Sequence, residues 1–454
     1  MERIIFKKIE LWAVVLLLLV IGAGSIYFSS IVKNETEARN NYEVRPAYSW
    51  AGDLAFDIAS LPDTIRKLTS DEIPLGAAQY ERFGNRTGWT HYGAPSPISG
   101  YLLFSRIDGD TLTSVIDLVD LSDFSVKHHW IADPDTLLAG ASRASKVMDY
   151  TQWTKERFRA MHPLMLADGT MVLHGQFSPL VKMDHCSRRI WMEDATNFHH
   201  SLNVDAEGNF WAPSLIEPSP VTEVAEFRDD ALTEVSPDGK LIFQKSMAQL
   251  LDEHDLSYLV FQVFNFSDDP LHMNDIQPVL KDGPYWKKGD LFISMRKRSL
   301  VMLYRPSTDE IIWKKQGPWL AQHDVDILDD HRIAIFNNNV KNTGKGGYIE
   351  PSSDVRIYDF ATDEVTNPYA EAAAAARILA VTNGLMDFTE SGHMIVEEDT
   401  SGRLLIFGPD HRLTDDYINL AKDGVAYRMG WSSYIDRAKG DAALAAIATQ
   451  EPCP

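Results

Sequence analysis

Leu300–Lys314 reads LVMLYRPSTDEIIWK: a strand-prone run, a turn built from Pro306, Ser307, Thr308 and Asp309, and a second strand-prone run. Short apolar or alternating runs bounded by turn formers are the sequence form of antiparallel strands. Just upstream, Gly289–Ser294 (GDLFIS) supplies a further strand, so this hairpin lies beside a neighbour. The arrangement recurs at Gly100–Phe104 (GYLLF), Ala167–Leu173 (ADGTMVL), Ala206–Trp211 (AEGNFW), Pro237–Phe243 (PDGKLIF), Asp329–Phe336 (DDHRIAIF) and Ser391–Val396 (SGHMIV). Val355–Val365 (VRIYDFATDEV) repeats the second hairpin. A unit recurring about every 40 to 60 residues, unable to bury its hydrophobic face alone, describes the blades of a β-propeller. The expected fold is therefore an all-β, six-bladed β-propeller, with seven blades as the alternative count. Blades are expected near 90–150, 160–195, 198–245, 270–318, 322–368 and 382–432. A sandwich with long loops is the competing architecture. Helical patterns are few, at Thr151–Arg159, Lys245–Leu256, Tyr369–Ala380 and Tyr434–Thr449, and read as insertions between blades or a terminal cap.

Outside the repeats, Arg3, Lys7 and Lys8 precede the apolar run Leu11–Phe28 (LWAVVLLLLVIGAGSIYF). Eighteen helical residues at about 1.5 Å each span roughly 27 Å, close to a bilayer core, and basic residues stay on the cytoplasmic side. The run predicts a retained N-terminal transmembrane helix; a cleaved secretion signal is the alternative, and either exports the remaining mass. The expected organisation is a cytoplasmic tip and anchor at 1–30, a stalk and packing segment at 31–89, the propeller at 90–432, and a C-terminal helix and tail at 433–454. With 43 Lys and Arg against 65 Asp and Glu, the net charge of -22 opposes phosphate neutralisation, so no nucleic-acid partner is expected. The bilayer, through residues 11–28, is an expected partner, as are a membrane protein or a second copy of the chain. Cys186 and Cys453 are the two cysteines; in an oxidising compartment they can pair, and two separate reduced thiols are the alternative.

Several histidines keep register with the repeats. His162 precedes the strand at Thr170, His200 the strand at Phe210, and His323 the strand at Arg332, by nearly equal intervals. In a radial array equivalent positions converge, so one site can be assembled from residues far apart in the chain. His272 sits ahead of a strand ending at Ser294 with Arg296 beyond it, and Lys281–Lys288 reads as a loop insertion in that interval. The ordinary alternative for each histidine is a loop hydrogen bond or a surface position.

At these histidines the chain resembles the arylsulfate sulfotransferase family, bacterial periplasmic enzymes that move a sulfuryl group between phenols without a nucleotide donor. Three stretches carry the resemblance: Phe198–Trp211 (FHHSLNVDAEGNFW), Leu271–Ser299 (LHMNDIQPVLKDGPYWKKGDLFISMRKRS) and Gln322–Asn338 (QHDVDILDDHRIAIFNN). The resemblance implies a six-bladed propeller, a periplasmic location, and a sulfohistidine on His323, preceded by Gln322; with the apolar run Leu11–Phe28 the expected location is the inner membrane, single-pass, with the main domain in the periplasm. It also implies roles for His272 with Asn274, for Arg296, and for His200 or its neighbour His199. A neutral imidazole can attack sulfur, and a guanidinium fork matches a tetrahedral oxyanion. His272 or His200 is then expected to donate to the leaving oxygen and later deprotonate the acceptor. His162, His199, Asn274, Trp211 and Trp319 are the expected substrate-contacting residues, with Phe198 and Trp286 as further aromatic candidates; Asp324 and Asp326 are expected to orient loops or His323. An aryl sulfate donor and a hydroxyl acceptor are the expected small-molecule partners. No cofactor is required, and structural calcium in the aspartate-rich loops is an open expectation.

Two other functions fit the same residues. A non-catalytic, membrane-tethered propeller scaffold keeps its axial residues as packing. A metal-dependent hydrolase uses His162, His200, His272 and His323 as ligands, which requires their nitrogens to converge to about 2.1 Å from one ion.

Overall fold

The run that opens the sequence folds as its pattern predicts: Leu300–Arg305 and Glu310–Gln316 form an antiparallel hairpin, and Leu291–Met295 and Met273–Pro278 complete a four-stranded meander. The two middle strands are buried almost throughout, whereas Glu310–Gln316 alternates exposed and half-buried residues, as expected for an outer strand with one wet face. Phe292 pairs with Leu303 and Leu303 with Trp313, which places their side chains on one face. That face packs with Trp286, Trp319, Val325, Ile333, Ile335 and Tyr358 in a cluster shared with the next sheet. Each such buried side chain is worth about 1.5–3 kcal/mol, so neighbouring sheets hold one another without a separate core.

The computed structural model describes residues 11–41, 54–55, 58–59, 77–78, 81–93, 98–145, 147–221, 227–261, 267–342 and 347–453. The chain divides into two units, Met1–Glu72 with Phe261–Ser267, and Ile73–Val260 with Asp268–Pro454. The first contains the helix Leu11–Asn41, in which Trp12–Lys33 has a mean hydropathy of 2.3 and is long and apolar enough to cross a membrane by length and composition. It is consistent with a signal or an anchor segment. The basic residues 3, 7 and 8 and most of the expected stalk lie outside the described residues.

The second unit is all-β and propeller-like, with four blades of four or five strands. Besides the sheet over 273–316, these are Val325–Ile327 with Arg332–Asn337, Asp354–Asp359 and Glu364–Thr366; Leu385–Phe388 with Met394–Glu398, Arg403–Phe407 and Leu413–Ile418, widened by Gly88–His91; and Tyr101–Asp108 with Thr113–Asp120 and Ser125–Ile131, whose fourth strand, Ser433–Ile435, comes from the far end of the unit. The expectation of six blades, or seven, is corrected here. The stretches expected as separate blades at 160–195 and 198–245 hydrogen-bond continuously into one eight-stranded sheet. The ten-residue strand Arg189–Phe198 runs past its own hairpin, and its tail pairs Phe198 with both Ser178 and Ser214, and Asn197 with Leu215. Turn formers reveal how many strands there are, but not where the tail of a long strand finds its last partner.

Helices are short. Met247–Glu253, Ala370–Ala376 and Arg437–Ala448 occupy three of the expected stretches, and the fourth holds a single 3-10 turn, Tyr150–Trp153. Cys186 and Cys453 form a disulfide beyond the last helix, which resolves the open alternative in favour of pairing. The inner strands are clipped to one another by carboxylates: Asp275 accepts from Val325 N at 3.0 Å, Asp324 from Met386 N at 2.9 Å, and Asp387 from Tyr434 N at 2.6 Å.

Candidate active site

At one end of the inner strands the backbone turns through the left-handed region at non-glycine residues. His162 (φ 40°), His200 (62°), His272 (52°), Asn383 (57°) and Trp431 (62°) all adopt it, each in or just before an inner strand. Positive φ is uncommon outside glycine, and its accumulation in one place marks a site held by the surrounding structure. Gly430 shows how tight the packing is: a Cβ there would run into Ala160 O and Ser105 Oγ.

These turns bring five histidines and a tryptophan together. The His200 ring centre lies 5.1 Å from His199, 5.1 Å from His272, 6.0 Å from His323 and 5.9 Å from Trp431. Trp431 also lies 6.2 Å from His323 and 6.0 Å from His162.

Each imidazole is oriented by a partner. His323 Nδ1 faces Asn338 Oδ1 at 2.6 Å, and the Asn338 amide is itself fixed because its NH2 donates to Ala380 O and Asn383 O. An amide oxygen can only accept, so His323 carries its proton on Nδ1, and its Nε2 lone pair accepts from Asn383 N–H at 3.0 Å. His272 Nδ1 faces Asp269 Oδ2 at 2.6 Å, and Lys297 Nζ lies 3.3 Å from the same oxygen. His199 and His200 meet Nδ1 to Nδ1 at 2.8 Å, so one donates to the other. His199 Nε2 also lies 3.3 Å from Asp230 Oδ1, without hydrogen-bond geometry. His162 Nδ1 accepts from Leu202 N–H at 3.1 Å.

Burial, followed by the neighbouring charge of Arg296, pulls the His323 imidazole well below its ordinary range. Burial, then the proximity of His199, His272, His323 and Arg296, does the same to His200. His162 falls to about 4, chiefly through burial. Asp269 behaves in the opposite way: burial raises it, but the hydrogen bond and charge of His272, aided by Lys297, outweigh burial and hold the carboxyl well below the usual range. The site therefore combines neutral, desolvated imidazoles with one imidazole backed by an ionised carboxylate.

Arg296 is partly buried beyond the strand Leu291–Met295, and burial lowers its pKa. Among the described residues its Nη2 makes a single 3.4 Å contact, to Val381 O, and its Nε is buried without a hydrogen-bond partner. Asn274 does not stand among the imidazoles: its Nδ2 donates to Gln322 O at 2.9 Å and thereby sets the backbone just before His323. Gln322 is anchored to Ser294 Oγ and Leu300 O. Trp211 and Trp319 are not brought to the cluster. Trp211 donates to Asp205 and packs on Phe243, and Trp319 belongs to the apolar cluster with Trp286. Phe198 likewise packs in an apolar cluster, with Phe210 and Leu180.

Sequence reasoning missed Trp431, Asp269, Asn338, Asn383 and Glu397. Glu397 accepts from Trp431 N, Ser432 N and Ser432 Oγ, and burial lifts its carboxyl to about 7. The available signal for Trp431 was its place just ahead of the strand Ser433–Ile435, matching His200 ahead of Asn203.

The hydrolase expectation fails on geometry. Among the described residues, the groups of three or more side chains with ligand atoms within 4.8 Å of one another are Asp329, Asp330 and His331, and His185 with Cys186 and Cys453. The four axial histidines do not form such a group. The sulfurs of the second group are joined in the disulfide, which leaves the Asp329–His331 turn as the potential metal-binding cluster.

Residues 162–419 match the family model described as Arylsulfotransferase (ASST). The match covers more than half of the chain, and the protein belongs to the arylsulfotransferase family. Comparison with curated proteins gives no match. Among solved structures the chain is similar to a Bacteroides caccae protein of unknown function, at 7% identity and TM-score 0.45 over 74% of this chain and 99% of that one. It is also similar to TolB from Acinetobacter baumannii, at 9% identity and TM-score 0.43 over 87% and 74% of the two chains. Virginiamycin B lyase from Staphylococcus aureus follows at 8% identity and TM-score 0.33 over 56% and 69%.

Proposed function

We propose that this protein transfers a sulfuryl group from an aryl sulfate to a phenolic or other hydroxyl acceptor through a sulfohistidine on His323. The observation that carries the reading is a neutral, buried His323 beside a carboxylate-backed His272 and an incompletely paired Arg296.

In the first half-reaction His323 Nε2 forms a bond to sulfur as the bond from sulfur to the aryl oxygen breaks. Attack requires Nε2 to leave the Asn383 N–H, which costs about 1 kcal/mol for one hydrogen bond. The released N–H then stands beside the new N–S bond, where it can donate to a sulfonyl oxygen together with the Arg296 guanidinium. In this step His272, whose Nδ1 faces Asp269, carries a proton on Nε2 and gives it to the departing phenolate. The sulfohistidine carries positive charge on its ring, and its Nδ1–H is held by Asn338 Oδ1. In the second half-reaction the acceptor hydroxyl passes its proton to His272 Nε2, its oxygen attacks sulfur, and the N–S bond breaks. His200 packs between the two working imidazoles and orients them. The body acts outside the cytoplasm, tethered through residues 11–28. A structural cation would sit on the Asp329–His331 turn; its imidazole suits a transition metal better than calcium, which prefers oxygen ligands.

The test is intact-mass analysis after mixing the full chain in detergent with 4-nitrophenyl sulfate. A transient gain of one sulfuryl group on the peptide holding His323, discharged by added phenol, is expected. Phenol release with no modified protein would sink the sulfohistidine, and absence of turnover across a broad set of aryl sulfates would favour the scaffold.

A further inference from the structure

Beside the imidazole cluster lies a cavity of about 160 Å3, lined by Gln152, Arg157, Arg159, Gln176, Asn383 and Arg428 among others. Asn383 belongs to both places, since its backbone N–H reaches His323 Nε2 while its residue also lines this cavity. Three guanidiniums thus gather next to the proposed nucleophile. Arg159 is buried and paired with Asp399, to which Asn383 Nδ2 also donates at 3.0 Å. Arg157 Nη1 donates to Thr151 Oγ1 and lies 3.6 Å from Asp149 Oδ2. The Arg428 side chain has neither hydrogen bond nor ion pair among the described residues, and its Nε is buried. Gln176 Oε1 is likewise buried without a partner. Among the described residues the three guanidiniums face the carboxylates of Asp149 and Asp399 and, through Arg159, that of Glu397, which burial lifts to about 7, so positive charge is in excess whenever Glu397 is protonated.

Such a group is costly unless an anion completes it. The volume is below the roughly 300–1,000 Å3 of a pocket for a whole ligand, so it suits one polyatomic group and not a ring. Guanidinium forks match the paired oxygens of a tetrahedral oxyanion. A second cavity of about 220 Å3 shares Gln152 and Gln176 with the first and is lined also by Phe177 and Arg228. The Phe177 ring stands 4.9 Å from His199, and Arg228 lies over it. An apolar, aromatic surface therefore adjoins both the imidazoles and the arginine cavity.

From this arrangement we infer that the Arg157, Arg159 and Arg428 cavity is an oxyanion subsite, which holds a second sulfate of a substrate whose first sulfate lies at His323. The preferred substrates are accordingly aromatic compounds bearing two or more sulfate groups. The substrate class rests on the sulfuryl-transfer reading; oxyanion binding at Arg428 does not.

The experiment uses the full chain in detergent as His323→Asn, so that no turnover is needed, with Arg428→Gln added in a second variant. Among the described residues the Arg428 side chain makes no hydrogen bond or ion pair and acts on Asp399 only through its charge, so its replacement by Gln is expected to leave the fold intact, checked by the melting midpoint without sulfate. Inorganic sulfate, against chloride at matched ionic strength, raises the melting midpoint of the first variant by mass action, and Arg428→Gln weakens the apparent affinity at least tenfold. Equal responses in the two variants would overturn the subsite. Hydroquinone bis-sulfate binds His323→Asn at least tenfold more tightly than phenyl sulfate, and Arg428→Gln erases that difference. If the two aryl sulfates bind alike before Arg428 is changed, the subsite does not serve a substrate-borne group and the substrate class is wrong.

Discussion

The axial histidines and the rim histidines are the same residue solving opposite problems. His91, His129 and His331 each place Nδ1 2.6 Å from a carboxylate, of Asp415, Asp117 and Asp330 respectively, on rings that remain substantially exposed. His200 and His323 are about 1% exposed, and neither has a carboxylate on its ring nitrogens. Burial without a counter-charge keeps His200 and His323 neutral and nucleophilic, whereas the hydrogen bond to Asp330 favours the charged form of exposed His331. His272 stands between the two cases, inside the cluster yet backed by Asp269, and this division of labour separates the proposed nucleophile from the proposed acid.

The strongest way to break the comparison is to exchange the two kinds. His323→Asn is expected to lower kcat by roughly ten-thousand-fold, as loss of a nucleophile does, while His331→Asn leaves turnover unchanged. Comparable losses in both variants would mean that axial position confers nothing. Asp269→Asn is expected to cost about 10²- to 10³-fold, within the range for general acid catalysis. The loss should be larger with phenyl sulfate than with 4-nitrophenyl sulfate, because a poorer leaving group depends more on the proton that His272 delivers. An equal loss with both donors would reduce Asp269 to a structural partner of Lys297.

Much of the contrast was legible before any coordinates, and the reasons are physical. Strands announced themselves because turn residues punctuate them, as Pro306 to Asp309 do between Leu300–Arg305 and Glu310–Gln316. The axial histidines showed because they recur at the start of inner strands: His200 and His272 take a left-handed turn just ahead of one, His162 takes it inside one, and His323 follows the left-handed Ala321 two residues before Val325. Three features did not show. The merged eight-stranded sheet depends on the tail pairing of Phe198 with Ser214, which no turn marks. Asn338 and Asn383 act on His323 from 15 and 60 residues away. Trp431 was obscured because aromatic residues in this architecture usually serve packing, as Trp319 does between two sheets and Trp211 does against Phe243 of its own sheet, although both were nominated for closeness in sequence to the histidines.

Acid stability sharpens the comparison at the smallest scale. His162 and His174 sit near 4 in the folded chain, chiefly through burial, against about 6.5 when unfolded. Between those values the unfolded chain binds protons that the folded chain refuses, so this contribution is complete above pH 6.5 and is lost as the pH falls towards 4. Each group adds up to about 1.4 kcal/mol per pH unit to the slope. Buried carboxylates such as Asp229, raised to about 6 chiefly by burial, act with the opposite sign, so the informative quantity is the difference between variant and parent. His162→Gln, measured by urea unfolding from pH 7 to 4.5, should flatten the loss by about one proton. His331 should behave in reverse: its hydrogen bond with Asp330, together with nearby carboxylates, holds the imidazole above its ordinary value, so its contribution is present below pH 6.5 and fades as the pH rises. Because solvent screens that pair, His331→Gln should leave the acid slope unchanged and lower stability only slightly at pH 6. If His331→Gln flattened the slope as much as His162→Gln, burial would not be what distinguishes the two sets of histidines.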